Sequence, residues 1–133
     1  MHVQSQHLQI GFNPRITDIS FIANMPNLNF LEVNYLTNAD LSPIWVQQNL
    51  TRIGIGGLGL TDLTAVAGMT WLEEIYADDN QLQSLADLTN LAGLRRISAS
   101  SNQISDIGAL RQLPSLEFVD LDSNKVTTIG TSL

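Results

Sequence analysis

The chain has 133 residues, of which 44% are hydrophobic, and this length suits a single domain with its own core. It contains no cysteine, which excludes disulfide bonds, a thiol nucleophile and a thiolate metal site. Thirteen acidic residues against six lysines and arginines give a net charge of −7. This balance argues against a nucleic-acid partner, because phosphate contacts need clustered basic side chains.

The start of the chain carries no recognisable targeting segment. Residues 1–6 contain neither the basic region nor the apolar stretch of a secretory signal peptide. No apolar run approaches the roughly 18 residues needed to cross a bilayer, so we expect no membrane span. Two localisations stay open: the chain is either cytoplasmic or a fragment of a secreted or cell-surface protein.

A repeat of 22 residues organises the sequence. Each unit follows the pattern LxxLxLxxNxLxDLxxLxxLxx or a close variant. We divide the single domain, residues 1–133, into units at 5–27, 28–49, 50–71, 72–93, 94–115 and 116–133. The leucines that mark the period are Leu28, Leu50, Leu72, Leu94 and Leu116. A period of about 20 to 29 residues with this Leu and Asn spacing is typical of a leucine-rich repeat solenoid.

Each unit predicts one short β-strand near its start. Positions 4 and 6 of the unit are apolar and alternate with more polar neighbours, as in a half-buried strand. These positions hold Leu8, Ile10, Leu31, Val33, Ile53, Ile55, Ile75, Ala77, Ile97, Ala99, Val119 and Leu121. We therefore expect neighbouring units to pair their strands in parallel.

A turn stabilised by asparagine is predicted at position 9, after the strand. The amide side chain there can bond the backbone of the turn, and the position holds Asn13, Asn80, Asn102 and Asn124. Leu36 and Leu58 depart from this pattern in adjacent units. We expect these two leucines to stack on each other. The backbone groups of their turns must then find other partners, because buried ones rarely stay unpaired.

Position 13 predicts the start of a short helical turn on the convex side. It is occupied by good N-capping residues: Asp18, Asp40, Asp62, Ser84, Asp106 and Thr128. Apolar residues follow at a spacing of three, which favours 3₁₀ or short α turns. In the second unit Pro43 and Trp45 predict an irregular convex segment. We expect Trp45 and Trp71 to cover the core, with a role as partner anchors as the alternative.

Two segments resemble bacterial leucine-rich repeats of the internalin type. They are Asn102-Gln103-Ile104-Ser105-Asp106-Ile107, followed by Leu110 and Leu113, and the run from Leu85 to Leu91. The units are also similar to the 22-residue repeats of the protein phosphatase 1 regulatory subunit. The resemblance implies an α/β solenoid, an arc with a parallel concave β-sheet that binds another macromolecule. Because no helical cap is visible before Leu8 and no capping module after Leu133, we expect either that further segments are missing or that the ends meet another chain, which keeps self-association as an alternative.

The side chains at positions 3, 5 and 7 of each unit point out of the concave sheet. Arg52, Glu74 and Arg96 fall on adjacent strands at position 3, which predicts an alternating charge ladder. Such a ladder is either a solvated face that contributes little per pair or part of a contact patch with nearby aromatic residues. We predict that the partner-binding surface comprises Phe30, Tyr35, Arg52, Glu74, Tyr76, Arg96, Phe118 and Asp120.

Two further features of this face have alternative interpretations. Glycines at 54, 56, 57 and 59 predict a shallow depression flanked by Tyr35 and Tyr76, which either accommodates curvature or receives a partner side chain or small ligand. Four acids, Asp78, Asp79, Asp120 and Asp122, predict an acidic patch in the C-terminal half. A solvated patch would favour a partner with a basic surface. A cation site is the alternative, since clustered carboxylates suit hard ions.

No motif predicts catalysis. Residues 54–59 spell GxGxxG, but a dinucleotide fingerprint opens a helix in a βαβ unit, whereas here the next strand follows on the 22-residue period. Of the two histidines, His2 falls in an expected tail and His7 has no evident carboxylate neighbour on its own strand, and no zinc-ligand spacing exists. We expect no catalytic residue, metal or cofactor. The predicted function is non-catalytic protein binding of the internalin-like, adhesive kind. An intracellular scaffold, a regulatory subunit or a self-associating fragment are the alternatives.

Overall fold

One short strand at the start of each repeat builds a six-stranded parallel sheet in the computed structural model, which describes residues 6–127. The strands are β1 (Gln6–Gln9), β2 (Leu28–Glu32), β3 (Arg52–Gly54), β4 (Glu74–Tyr76), β5 (Arg96–Ser98) and β6 (Phe118–Asp120). Their order in the sheet is their order in the sequence. The predicted parallel pairing of neighbouring units is therefore confirmed.

The register of the sheet follows the 22-residue period. Phe30 pairs with Arg52, Arg52 with Glu74, Glu74 with Arg96, and Arg96 with Phe118. The residues at one position of the repeat thus form a row across the sheet. The pairing of β1 with β2 aligns His7 with Phe30 and carries one irregularity, between Gln6 and His7. Residues 128–133 lie outside the described part of the chain, as do residues 1–5.

Short helical turns cover the opposite side of the sheet, as the spacing of apolar residues predicts. Among residues 6–127, one is α-helical, α1 (Ser42–Trp45), and four are 3₁₀ turns at Ser20–Asn24, Thr64–Val66, Ala86–Leu88 and Gly108–Gln112. The convex segment of the second unit was predicted to be irregular. This prediction is wrong, because the segment forms the regular α-helical turn α1. Pro43 lies in its first turn, where the missing N–H would have had no intrahelical acceptor.

The predicted capping side chains accept hydrogen bonds at the starts of these turns. Asp18 accepts the Ser20 N–H at 2.8 Å, and Ser84 accepts the Ala86 N–H at 3.0 Å. Equivalent bonds join residues 40 and 42, 62 and 64, and 106 and 108. The acceptor stands two residues before the first helical residue, so the geometry is that of an Asx or Ser turn. Thr128 lies outside the described residues.

The core lies between the sheet and the convex turns. In β2 to β5 the inward residues Leu31, Ile53, Ile75 and Ile97 are buried, with at most 1% exposure. Their counterparts in the outer strands, such as Leu8 and Val119, are only partly buried. A solenoid repeat buries its apolar face against its neighbours, so an outer repeat has less cover. Trp45 and Trp71 also pack against the core, partly buried, as predicted.

The asparagines at position 9 bond the turns between repeats. The Asn80 side-chain amide donates to the carbonyls of Ile55 and Ala77, both at 3.0 Å, and its Oδ1 accepts the N–H groups of Leu58 and Leu60. Asn102 and Asn124 make the corresponding two bonds to carbonyls, and each accepts one N–H group, from Leu82 and Ile104 respectively. The turn at Leu58 therefore obtains its partner from the next repeat, as expected. Leu36 is buried in the core, and its stacking on Leu58 stays a prediction.

Candidate functional site on the concave face

A stack of aromatic rings lies across the first four strands of the concave face. The His7 and Phe30 ring centroids are 4.0 Å apart, and those of Phe30 and Tyr76 are 6.0 Å apart with nearly parallel planes. The Arg52 guanidinium lies 5.4 Å from the Phe30 centroid. Gly54 stands on the strand between Phe30 and Tyr76 and has no side chain to separate their rings.

Glu74 is the electrostatic centre of this face. It is 5% exposed, and one of its oxygens lies 3.6 Å from Arg52 Nε and 2.6 Å from Arg95 Nη2. The other oxygen lies 3.9 Å from Arg96 Nε and accepts a hydrogen bond from the Tyr76 hydroxyl. The predicted ladder of Arg52, Glu74 and Arg96 thus forms. A buried carboxylate of this kind requires its partners, because an uncompensated buried charge is costly.

Arg95 is a functional candidate that the sequence analysis did not include. It stands at position 2 of its repeat, yet it makes the shortest ion pair with Glu74 and also approaches Glu73 at 3.6 Å and Glu117 at 3.8 Å. A signal for it was present in the sequence, because position 2 of three successive repeats alternates in charge as Glu73, Arg95 and Glu117. The long arginine side chain joins that second row to the first.

The C-terminal part of the predicted surface is held by Arg96. Its guanidinium lies 4.6 Å from the centroid of the Phe118 ring, which is 46% exposed. Arg96 also reaches Glu74, so it connects Phe118 to the central strands. Asp120 is not brought into this group. It accepts the backbone N–H of Asp122 at 3.0 Å, a local bond at the end of β6.

Tyr35 reaches across the third repeat at the carboxyl edge of the sheet. Its ring covers Gly57, where an added Cβ would lie 2.3 Å from a ring carbon. Its hydroxyl donates to Asp79 at 2.6 Å. This hydrogen bond to a carboxylate raises the pKa of Tyr35. The pKa of Tyr76 is raised as well, by burial and by its hydrogen bond to Glu74. The Phe12 ring stacks on Tyr35 with centroids 4.7 Å apart.

A depression of about 260 Å³ is lined in part by Tyr35, and we call it the edge pocket. Its main side chains are the rings of Phe12, Tyr35 and Tyr76 and the carboxylates of Glu32, Asp78 and Asp79. The glycines do not leave the third repeat bare, because side chains of the second lean over it. A Cβ on Gly54 would lie 2.9 Å from Glu32 Cγ, and the Gly56 N–H donates to Asn34 Oδ1 at 2.7 Å.

The four acids of the predicted patch divide into two groups. Asp78 accepts hydrogen bonds from the Ser98 hydroxyl and from the Ser100 backbone and hydroxyl, at 2.8 to 2.9 Å. Asp79 bonds Tyr35, whereas Asp120 and Asp122 stand two strands away on the far side of Ser100. Among residues 6–127, no group of His, Cys, Asp or Glu side chains has the arrangement of a metal site.

One polar pair on β1 and β2 was not predicted. His7 Nε2 lies 2.6 Å from Glu32 Oε2, and the same oxygen accepts a hydrogen bond from the Gln9 amide at 2.5 Å. The pair orients Glu32 toward the edge pocket. In the part of the chain that the structure describes, no helix is long and apolar enough to cross a membrane.

Sequence and structure comparisons agree with this architecture. Residues 93–133 match the sequence family of leucine-rich repeats in its two-copy form. An internalin (inlF) of Listeria monocytogenes has a TM-score of 0.72 and 28% identity over 90% of this chain and 42% of its own. Internalin C2 (inlC2) of the same organism has a TM-score of 0.65 and 27% identity over 85% of this chain and 59% of its own.

A more distant likeness shows the fold alone. The plant peptide hormone receptor RGFR1, solved in complex with RGF2, has a TM-score of 0.57 and 17% identity over 96% of this chain and 28% of its own. No curated protein matches the chain. The fold is thus a leucine-rich repeat solenoid with a parallel concave sheet and short convex turns. The chain carries leucine-rich repeats similar to those of the two internalins, and it spans about half the length of these proteins.

Proposed function

We propose that this chain is a non-catalytic protein-binding module whose concave face contacts the partner. The observation that carries the proposal is the arrangement of exposed and half-buried rings with arginines on that face. Phe118 is 46% exposed with Arg96 beside it, and Phe30 stacks between His7 and Tyr76 with Arg52 nearby. Aromatic residues and arginine dominate the energetics of protein interfaces.

The geometry also favours binding because these side chains are already ordered. Arg52 and Arg96 are held by Glu74 and by the faces of Phe30 and Phe118. A side chain that is fixed before association loses less conformational entropy when the partner arrives. In this proposal the charge ladder of Arg52, Glu74 and Arg96 fixes the positions of the contact residues. The ladder and the contact patch, given as alternatives from the sequence, are then parts of one surface.

The finer assignment rests on the resemblance to two internalins. It favours an adhesive module of a longer protein that binds a protein ligand, and we propose this role above that of an intracellular scaffold or regulatory subunit. The same fold holds a partner in the plant peptide hormone receptor RGFR1, whose structure is a complex with RGF2. The contact surface we propose is the predicted set with Arg95 added and Asp120 placed at its margin.

A pair of matched phenylalanine variants tests the concave face. Phe118 on β6 and Phe21 on the convex turn Ser20–Asn24 are 46% and 44% exposed, so Phe118→Ala and Phe21→Ala remove equal rings from opposite sides. The wild-type chain is used to isolate a partner, and the purified partner is titrated calorimetrically against each variant. Phe118→Ala is expected to weaken binding by about tenfold or more, and Phe21→Ala by less than about twofold.

Equal affinities of the two variants would contradict the proposal. Circular dichroism and urea titration of both variants control for folding, and they should match the wild type because each ring is exposed. Light scattering of the free chain tests the self-association alternative. If the measured mass rises with protein concentration and returns to the monomer value in Phe118→Ala, the partner of the concave face is a second copy of the chain rather than another protein.

A further inference from the structure

We infer that the edge pocket binds the side chain of an arginine presented by the partner protein. The inference deepens the proposed function and rests on it, since it names the chemistry of one partner residue. The pocket holds about 260 Å³, below the size of sites for drug-like ligands, so it suits one side chain. It lies at the carboxyl edge of the sheet, beside the aromatic stack of the concave face.

The charge of the pocket is uncompensated. Glu32, Asp78 and Asp79 line it, and no lysine or arginine does. Across residues 6–127, neither Asp78 nor Asp79 forms an ion pair, and the ion-pair partner of Glu32 is His7, which is charged only when protonated. The basic residues of the same face are instead gathered around Glu74, one row away. A cation from outside would therefore find three carboxylates without a competing internal partner.

Each of the three carboxylates is oriented by one oxygen and keeps the other available. Glu32 uses Oε2 for His7 and Gln9, Asp78 uses Oδ1 for Ser98 and Ser100, and Asp79 uses Oδ2 for Tyr35. Within the described range of the chain, the second oxygen of each accepts no hydrogen bond. Fixed carboxylates with open oxygens match the several N–H donors of a guanidinium group.

The rings select the planar guanidinium over a point charge. Phe12 is 70% exposed and stacks on Tyr35, and both residues have a left-handed backbone, with φ of 60° and 58°. Bulky residues are rare in that conformation, which costs roughly 1–2 kcal/mol per residue. Two aromatic residues thus occupy a strained position, and the Phe12 ring remains mostly exposed. Arginine stacks on such faces and bonds carboxylates at the same time.

A neighbouring depression indicates that the ligand continues along the edge. It has a similar volume of about 260 Å³, lies over Gln9 and Gly11, and shares Phe12, Glu32 and Asn34 with the edge pocket. An extended partner segment would place an adjacent residue there while the arginine occupies the edge pocket.

The test uses a defined peptide and the whole chain. Acetyl-Gly-Arg-Gly-amide is titrated into the labelled protein by NMR, and acetyl-Gly-citrulline-Gly-amide, its uncharged analogue, is titrated in parallel. We expect the arginine peptide to shift the signals of Tyr35 and Gly56 and to bind about tenfold more tightly than the citrulline peptide. Equal affinity of the two peptides, or shifts confined to other parts of the sheet, would overturn the inference.

Two charge variants localise the site. Asp79→Asn removes one carboxylate of the pocket but keeps an oxygen for the Tyr35 hydroxyl, and asparagine tolerates the left-handed backbone at this position. Asp122→Asn removes the same charge at the exposed end of the sheet, outside the pocket. We expect about a threefold or larger loss of affinity for Asp79→Asn and less than about 1.5-fold for Asp122→Asn. Equal losses of affinity in the two variants would mean that the peptide is attracted by the overall negative charge and not bound in the edge pocket, which would contradict the inference.

A ring variant completes the test and separates it from the proposed function. Phe12→Asn is expected to fold, because asparagine suits the left-handed φ of 60° and the Phe12 ring is mostly exposed. We expect it to lower the affinity for the arginine peptide by about threefold. An unchanged affinity would contradict the stacking. If the peptide fails to bind while Phe118→Ala still weakens the partner, the pocket alone is wrong. If Phe118→Ala has no effect while the peptide binds, the concave-face proposal is wrong.

Discussion

Each described repeat passes from its strand into its turn through one left-handed residue. The six residues at this position are Phe12, Tyr35, Gly57, Asp79, Ser101 and Ser123, with φ between 56° and 65°. The N–H groups of the first five continue the parallel pairing; the Asp79 N–H donates to the Ser100 carbonyl at 3.0 Å, and that of Ser101 to the Asp122 carbonyl. The pairing of the strands therefore imposes the left-handed conformation at this position, and among the six described units only the third has a glycine there, Gly57.

Ser101 provides the test of this imposed conformation. We expect Ser101→Gly to raise the free energy of unfolding by about 0.5 kcal/mol, because relief of a left-handed penalty of roughly 1–2 kcal/mol exceeds the added chain entropy of about 0.5–1 kcal/mol. Ser105→Gly is the matched control. It is also exposed, but its φ is not positive, so the same substitution should lower the free energy of unfolding. Urea titrations measure both, and changes of the same sign would contradict the argument.

At the scale of the element, the convex turns depend on carboxylates that begin them. The backbone N–H groups of Ser20, Ser42 and Thr64 lower the pKa values of Asp18, Asp40 and Asp62 below 3.8. A carboxyl whose folded pKa is depressed stabilises the fold at any pH above its unfolded pKa. That contribution is lost as the pH falls through the folded pKa, because protonation then removes the charged acceptor.

The triple variant Asp18→Asn, Asp40→Asn, Asp62→Asn tests this dependence. Asparagine keeps a capping oxygen but does not titrate, so the urea midpoint of the variant should fall less steeply than that of the wild type between about pH 5 and pH 2. The control is Glu117→Gln with Asp122→Asn, because neither of these carboxylates accepts a backbone N–H among the described residues. The control should change the pH slope of the urea midpoint less, for each carboxylate removed, than the triple variant does. Equal changes in slope per carboxylate removed would contradict the capping account.

The elements also show what the sequence could and could not predict. The row neighbours Arg52, Glu74 and Arg96 were predictable, because an unbroken period of 22 residues aligns equal positions on adjacent strands. The contact of Arg95 with Glu74 was not, since it joins different rows through a long side chain. Nor was the path of Tyr35, which depends on the empty space above Gly57 and on Asp79 two repeats away. Such contacts arise from side-chain reach and neighbouring gaps, which a repeat pattern does not specify.

At the scale of the whole molecule, the solenoid is stabilised by contacts between successive repeats. Leu72 and Leu116 occupy the same position of their units, but Leu72 is fully buried between two neighbours and Leu116 is only partly buried. Within the described residues 6–127, each inner repeat packs against two others, whereas the first and the last each pack against one. Equal substitutions should therefore have unequal costs along the molecule.

We expect Leu72→Ala to lower the free energy of unfolding by about 3–5 kcal/mol, because it leaves a cavity that both neighbouring repeats line. Leu116→Ala should cost about half of that or less, since its partly exposed side chain buries less area and leaves a gap that water can enter. Urea titration gives the free energy of unfolding of both variants, and amide hydrogen exchange shows which strands each substitution destabilises. Leu72→Ala should accelerate exchange in β3 to β5 together, whereas Leu116→Ala should affect β6 first. Equal costs, or exchange confined to β4 in Leu72→Ala, would mean that each repeat is stable by itself rather than through its neighbours.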